Sequence, residues 1–196
     1  MPSWLVSIWS AFPDTAQGWT ALVSSVALIW TMIAQITVWN RDRFSRGLEN
    51  LGKLDERFET VDFRELRKRA ASYLLRGAPA EDKEGDEALQ GVLNLFETIG
   101  YLHRRKMVRI EAVWHYFASW LLPYVAAAET YLKRKRADDL GIYCELLPLY
   151  KKVLAHEVEL TGEGRTGHIV GKGAVDEFLN VEAKLSLKPR PSTIPV

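Results

Sequence analysis

The chain has 196 residues and carries 26 Lys and Arg against 25 Asp and Glu, which gives a formal net charge of +1. That length leaves room for one membrane anchor and one modest domain. A near-zero charge argues against a nucleic-acid binder, which would be expected to be strongly basic. The single cysteine, Cys144, excludes an internal disulfide framework and a cysteine-based zinc site.

Residues 1–17 hold one charged side chain, Asp14. The apolar positions recur at helical spacing and make one face: Trp4, Leu5, Ile8, Trp9 and Phe12. The pattern predicts either a short amphipathic helix lying in a membrane interface or a disordered terminus whose tryptophans contact lipid.

Residues 18–39 contain no Asp, Glu, Lys or Arg. As an α-helix they would extend about 33 Å, slightly more than the roughly 30 Å hydrocarbon core of a bilayer. Trp19 and Trp39 mark the two ends, where the headgroup region favours their rings. The stretch predicts a transmembrane helix in contact with the lipid bilayer. The alternative is a buried core helix of a soluble protein, which would usually show a polar stripe.

Basic residues flank this span on one side only. Arg41, Arg43 and Arg46 follow it, whereas residues 1–17 contain no Lys or Arg. The positive-inside rule therefore predicts an inner (plasma) membrane protein with its N-terminus outside and the remainder in the cytoplasm. A retained anchor fits better than a cleaved signal peptide, which needs a positive start. Ala21, Ser25 and Gln35 allow a homodimer through the span.

Residues 41–160 show helical periodicity, and capping residues indicate where helices begin. Phe44 opens an apolar stripe that reaches Val61. Asp62 and Asp86 are the predicted N-caps of two further helices.

The second half of this region predicts two more long helices. One runs to Leu132 with a kink at Pro123, and the last begins at Asp138 or Asp139 with a bend or a break at Pro148. No segment alternates with period two. The fold class is therefore all-α, with one N-terminal transmembrane helix and a cytoplasmic bundle of about four to six helices. Residues 161–196 are predicted to be a flexible tail with one short helix that docks a partner or folds back.

No nucleotide-binding loop, nucleophile elbow or HExxH zinc motif is present. The four histidines, His103, His115, His156 and His168, do not form a metal-binding pattern. We expect no cofactor, no metal and no catalytic residue that can be named from sequence.

Basic residues cluster where the second and third of these helices would meet if they form an antiparallel hairpin. The predicted patch comprises Arg64, Arg67, Lys68, Arg69, Arg104, Arg105 and Arg109. It would suit an anionic lipid, a phosphorylated ligand or an acidic partner. The simpler interpretation is that cations near helix ends offset the helix dipole.

Glu97 lies in LFETIGYL at the edge of an apolar stripe. An isolated buried carboxylate is costly, so we expect a structural ion pair with Arg67 or Arg69 rather than a catalytic acid.

Three segments carry a family resemblance: RELRKRAASYLL, GVLNLFETIGYLHRRKMV and EAVWHYFASWLLPYV. With them the chain resembles an uncharacterised bacterial family, domain of unknown function 4760, over residues 20–158. The Phe-Glu-x-Ile-Gly run from Phe96 to Gly100 is the strongest single piece. The resemblance implies an N-terminal membrane helix and a helical cytoplasmic domain, and it implies no activity, substrate or catalytic residue.

The sequence thus favours a single-pass, membrane-anchored helical interaction or regulatory module whose partner is a protein or an anionic surface. A non-enzymatic role is favoured, and nucleic acid is not an expected partner. The alternative is a membrane-face enzyme acting on a phosphorylated substrate at the arginine-rich end of the bundle.

Overall fold

A computed structural model describes residues 16–162 and 169–186, with only the backbone described for residues 16–22, 40 and 43. The described residues form seven helices and no strand, which confirms the all-α prediction. These are α1 (Ala16–Phe58), α2 (Val61–Leu75), α3 (Lys83–Arg104), α4 (Ile110–Ala127), α5 (Glu129–Asp138), α6 (Leu146–Thr161) and α7 (Lys172–Ala183). The predicted interfacial helix in residues 1–17 lies almost wholly outside the described residues.

Helix α1 runs without a break from Ala16 to Phe58 and includes the whole predicted span, 18–39. No proline occurs in this stretch, so nothing removes a backbone donor between the span and the stripe that starts at Phe44. The chain divides into two compact units between Arg43 and Phe44.

Helices α2 and α3 begin earlier than the sequence predicted. Thr60, not Asp62, is the N-cap of α2, and its hydroxyl accepts the amide of Phe63 at 3.3 Å. Asp82, not Asp86, is the N-cap of α3, and its carboxylate accepts the amide of Gly85 at 2.9 Å. Both predictions failed because each helix start has two residues that can cap, four positions apart at α3 and two apart at α2, and the sequence pattern does not choose between them.

Asp86 instead lies one turn inside α3, where it makes side-chain contacts. Its carboxylate accepts a hydrogen bond from Gln90 at 2.6 Å and pairs with Lys135 of α5 at 3.1 Å. The residue therefore connects α3 with α5 rather than starting a helix.

Pro123 lies inside α4, and the helix continues to Ala127 before α5 begins at Glu129. The single helix predicted to reach Leu132 is thus two helices.

Pro148 causes no bend, because α6 begins at Leu146 and the proline falls in its first turn. An amide there would have no partner within the helix, so proline is tolerated. Asp138 and Asp139 precede a turn instead of capping α6; Asp139 accepts the amide of Gly141 at 2.8 Å.

The core of the second unit is aromatic at its centre. Phe58 lies 6.0 Å from Phe96 and 5.9 Å from Phe117 between ring centroids, and all three side chains are fully buried. Helices α2 and α3 are antiparallel, with Tyr73 against Gly85 and Leu66 against Gly91. Helix α7 packs on α2 and α4, so this part of the predicted tail belongs to the bundle.

Candidate functional site

An apolar surface covers α1 on all sides between Val23 and Trp39. Its ten large hydrophobic side chains are 50–73% exposed, and Trp30 is the most exposed of them. The hydroxyls of Thr31 and Thr37 donate to the backbone carbonyls of Ala27 and Ala34 at 2.8 and 2.7 Å. Both hydroxyl protons are therefore satisfied inside the helix, as a lipid environment requires.

Among the described residues, α1 supplies the one helix long and apolar enough to cross a membrane, by length and composition. None of the most apolar 18-residue stretch of α1 is buried by the residues that the structure describes. In the core helix of a soluble protein, neighbouring helices would cover most of the apolar residues.

The basic residues predicted to form an anionic-ligand patch do not share one exposed surface. Arg64 and Arg67 are buried, with 9% and 3% of their surfaces exposed. Arg64 pairs with Glu59 at 2.9 Å, and exposed Arg69 pairs with Glu65 at 3.1 Å. Lys68 is half-buried.

The other three members of the predicted patch lie further along the bundle. The start of α2 lies near Phe96 of the antiparallel α3, since Leu66 lies against Gly91. Arg104 is about 12 Å further along α3, so it lies beyond the start of α2. Its guanidinium pairs with Glu145 at 2.5 Å and, like that of Arg105, lies over the ring of Tyr101. Arg109 lies over Phe44 at 5.1 Å. The hairpin is antiparallel as expected, but α3 is longer than α2, and this separates the two groups of cations.

A buried charge cluster surrounds Arg67. Its Nε and Nη2 donate to the two carboxylate oxygens of Glu182 at 2.8 and 2.7 Å, and its Nη1 donates to Glu59 at 3.1 Å. The guanidinium also lies 4.3 Å from the ring centroid of Phe58 and 5.3 Å from that of Trp120. Arg64, Arg67, Glu59 and Glu182 together carry no net charge, so the cluster can be buried without an uncompensated ion.

Burial opposes the charged form of Arg67, but its hydrogen bonds to Glu182 leave the pKa of the guanidinium raised. Burial likewise opposes the charge of Glu59, and hydrogen bonds from Arg64 and Arg67 outweigh it and lower that pKa. Burial, reinforced by the charge of Glu182, holds the pKa of Tyr124 well above its ordinary value. The Tyr124 hydroxyl therefore keeps its proton and is a hydrogen-bond donor, 3.0 Å from the carbonyl oxygen of Arg67 and 3.1 Å from Glu182 Oε2.

The ion pair predicted between Glu97 and Arg67 or Arg69 does not form. Glu97 accepts the backbone amide of Glu145 at 3.1 Å and that of Leu146 at 2.5 Å. These amides belong to the start of α6, where helical hydrogen bonding leaves them without partners. Glu97 is therefore a capping residue supplied by another helix.

A surface cavity of about 520 Å³ opens between the end of α3 and the start of α6. His103 Nδ1 lies 3.2 Å from the carbonyl oxygen of Val108, and its Nε2 lies 3.2 Å from the ammonium of Lys152. Nδ1 therefore carries the proton and Nε2 accepts from Lys152. Burial, followed by the charge of Lys152, lowers the pKa of His103.

The thiol of Cys144 is the potential nucleophile of this cavity. Cys144 lines it, but its Sγ lies 3.6 Å from Glu97 and 3.9 Å from Glu145, both carboxylates. Burial and the charge of Glu97 raise the pKa of the thiol. A thiol held in this way stays protonated and is a poor nucleophile at neutral pH.

The remaining histidines are placed apart. His156 stacks edge-on against Trp114, whose indole donates to the buried carboxylate of Glu157 at 2.5 Å. His115 is exposed, and His168 lies outside the described residues. Within the part of the chain that the structure describes, no group of three His, Cys, Asp or Glu side chains is arranged to hold a metal ion.

Three partners of Arg67 were not predicted from the sequence: Glu182, Glu59 and Tyr124. A signal for Glu182 was present, because Val175, Phe178, Leu179 and Glu182 follow helical spacing and place the acid on the apolar face.

The model of a family described as Domain of unknown function (DUF4760) matches residues 15–153. The match takes in α1 to α5 and the first half of α6, and it ends before α7. No curated protein and no solved structure matches the chain.

Proposed function

The chain belongs to the DUF4760 family, and from that premise we propose that it is a single-pass, membrane-anchored helical module that binds another protein. Its anchor is residues 18–39 of α1, and the unit that starts at Phe44 is the binding part. One observation carries the proposal: the ten large apolar side chains between Val23 and Trp39 stay exposed, since none of the residues that the structure describes covers them.

The free energy at stake in this surface is large. Removing one such side chain from water is worth about 1.5–3 kcal/mol, so ten of them amount to roughly 15–30 kcal/mol. Monomeric soluble proteins rarely leave a contiguous apolar surface of this size in water. A lipid bilayer would cover the surface on every side of the helix at once.

The proposed orientation places the N-terminus outside and the bundle in the cytoplasm of an inner (plasma) membrane. Arg41, Arg43 and Arg46 support it, because basic residues flank the span on this side and Lys or Arg is lacking in residues 1–17.

A membrane-face enzyme that holds a phosphorylated substrate with arginines is less well supported. Arg64 and Arg67 are buried against Glu59 and Glu182, so they are engaged by carboxylates of the chain itself.

The anchor is tested by carbonate extraction of membranes from cells that express the full chain. We expect the chain to stay in the membrane pellet, and we expect a double Leu28→Arg, Ile33→Arg variant to be released, because each arginine near the middle of a span costs about 2.5–3.5 kcal/mol. Leu140→Arg is the matched control, since Leu140 is 77% exposed in a loop of the bundle. Extraction of the unaltered chain as a soluble monomer would contradict the anchor.

The orientation is tested with the single cysteine, Cys144, which is exposed. At mildly alkaline pH, which offsets the raised pKa of the thiol, a membrane-impermeant maleimide should label it only after the cells are opened. Labelling in intact cells would place the bundle outside.

A further inference from the structure

Helix α7 lies in a groove formed by α2 and α4. Val175, Leu179 and Glu182 of α7 are buried, with 6%, 3% and 4% of their surfaces exposed. Phe178 packs edge-on against Tyr124 with 5.1 Å between ring centroids. These four residues occupy positions i, i+3, i+4 and i+7, which is the spacing by which an amphipathic helix is recognised in a groove.

The polar contacts in the groove fix one register for the helix. Arg67 of α2 holds both oxygens of Glu182, and Tyr124 of α4 reaches the same carboxylate. The guanidinium is itself held in place by Glu59 and by the rings of Phe58 and Trp120. A helix that lacks an acid at this position would leave a buried arginine short of its partner, which is strongly unfavourable. The groove therefore selects for a carboxylate as well as for an apolar face.

Helix α7 is an appendage to the family's shared region. The family match ends at residue 153, whereas α7 begins at Lys172. Residues 162–171 connect it to α6 and include Gly162, Gly164, Gly167 and Gly171. This connection of ten residues keeps α7 near the groove at an effective concentration of about millimolar.

We propose that the groove between α2 and α4 is the module's recognition site for an amphipathic helix of a partner protein, and that α7 is its built-in, displaceable ligand. The partner helix carries an aliphatic residue, an aromatic and an aliphatic residue three and four positions later, and a glutamate at the seventh. This inference rests on the proposed function, because it names the surface through which the anchored module binds.

Competition by α7 has a calculable effect. A peptide with the same intrinsic affinity as α7 has to compete with a ligand present at about millimolar effective concentration, so its apparent Kd for the intact chain is about millimolar. Once α7 is free to diffuse away, the intrinsic affinity of the groove is measured directly.

The experiment uses the full chain in detergent micelles with a protease site inserted between Gly162 and Ile169. A fluorescent peptide of residues 169–186 is added before and after cleavage, and its anisotropy is followed. We expect the cleaved chain to bind the peptide at least about 10-fold more tightly than the uncleaved chain. A peptide with Glu182→Gln should bind about 100-fold more weakly than the unaltered peptide. Glu177→Gln is the matched control, since it removes the same charge from an exposed position of α7.

Three results would overturn the proposal. The cleaved chain could lose its helical circular dichroism, which would make α7 an indispensable part of the fold. The peptide could fail to bind to the cleaved chain and also fail to bind to an uncleaved Glu182→Lys chain, in which α7 cannot stay docked in the groove. The two altered peptides could bind equally well, which would remove the role of the carboxylate. A dimer of the intact chain that separates with Glu182→Lys would instead assign the groove to α7 of a second copy. None of these results bears on carbonate extraction, so failure of the groove and failure of the anchor are distinguished.

Discussion

Glu97 and Leu146 lie 49 positions apart in the sequence, yet the carboxylate of the first accepts the backbone amide of the second at 2.5 Å. Helix α6 thus receives its N-cap from α3. Its own N-cap residue, Glu145, makes no side-chain capping bond. Pro148, in the same turn, has no amide hydrogen that needs an acceptor. The Glu97 carboxylate therefore accepts most of the amides that the start of α6 leaves without a partner inside the helix.

Removal of this cap should destabilise the bundle. We expect Glu97→Ala to lower the free energy of unfolding by about 1–2 kcal/mol, the usual cost of a lost N-cap. Thermal unfolding in detergent micelles followed by circular dichroism measures it. Thr98→Ala, at the next and exposed position, is the control and should change stability by less than about 0.5 kcal/mol. An unchanged melting temperature for Glu97→Ala would show that the cap contributes nothing.

The same carboxylate should control the reactivity of Cys144. Burial and then the charge of Glu97 raise the pKa of the thiol, so Glu97→Gln should lower that pKa and increase the thiolate fraction at pH 7.5. The initial rate of reaction with a chromogenic disulfide should therefore rise. Glu111→Gln is the comparison, because Glu111 is not among the groups that act on the thiol. A rate that falls in the Glu97→Gln chain would reverse the sign of this coupling.

Two glycines of α1 should respond to alanine in opposite ways. A Cβ at Gly47 would overlap the carbonyl group of Met107, whereas a Cβ at Gly52 would meet nothing within 4 Å. We expect Gly47→Ala to destabilise the bundle by about 1–3 kcal/mol through overpacking. Gly52→Ala should stabilise it by about 0.5–1 kcal/mol through helix propensity. Denaturation of the two variants side by side tests both statements, and equal effects would show that α1 does not approach Met107 closely.

His103 should make the bundle less stable in mild acid. Its pKa is lowered in the folded chain, so the unfolded chain binds more protons once the pH falls below the ordinary histidine pKa of about 6.5. The stability contributed by the neutral ring is complete above that pH and is lost as the pH falls from there toward the folded pKa.

His103→Asn keeps a donor for the carbonyl of Val108 but cannot titrate. It should therefore reduce the loss of melting temperature between pH 7 and pH 5.5. His115→Asn, at an exposed position, should leave the loss unchanged. If both variants lose as much as the unaltered chain, another group is responsible.

Local sequence features were enough to predict the helices and the apolar span, because periodicity and charge along the chain determine both. They were not enough to predict which residues meet. Arg67 and Glu182 are 115 positions apart, and no local pattern states that α7 packs against α2. The predicted pairing of Glu97 with an arginine had the correct physical reason, since a half-buried carboxylate needs donors, but backbone amides supplied them. The helix starts were misplaced because Thr60 and Asp82 cap as well as Asp62 and Asp86 would.

The position of Trp120 gives the protein an optical property of its own. Its indole lies beside the guanidinium of Arg67 and against the ring of Phe58, with 5.1 Å between the ring centroids. Indole emission depends on nearby charge and on access of water, and both change at Trp120 if α7 leaves the groove. A chain in which the other six tryptophans are replaced by phenylalanine would therefore report by fluorescence, without an added label, whether α7 leaves the groove as proposed.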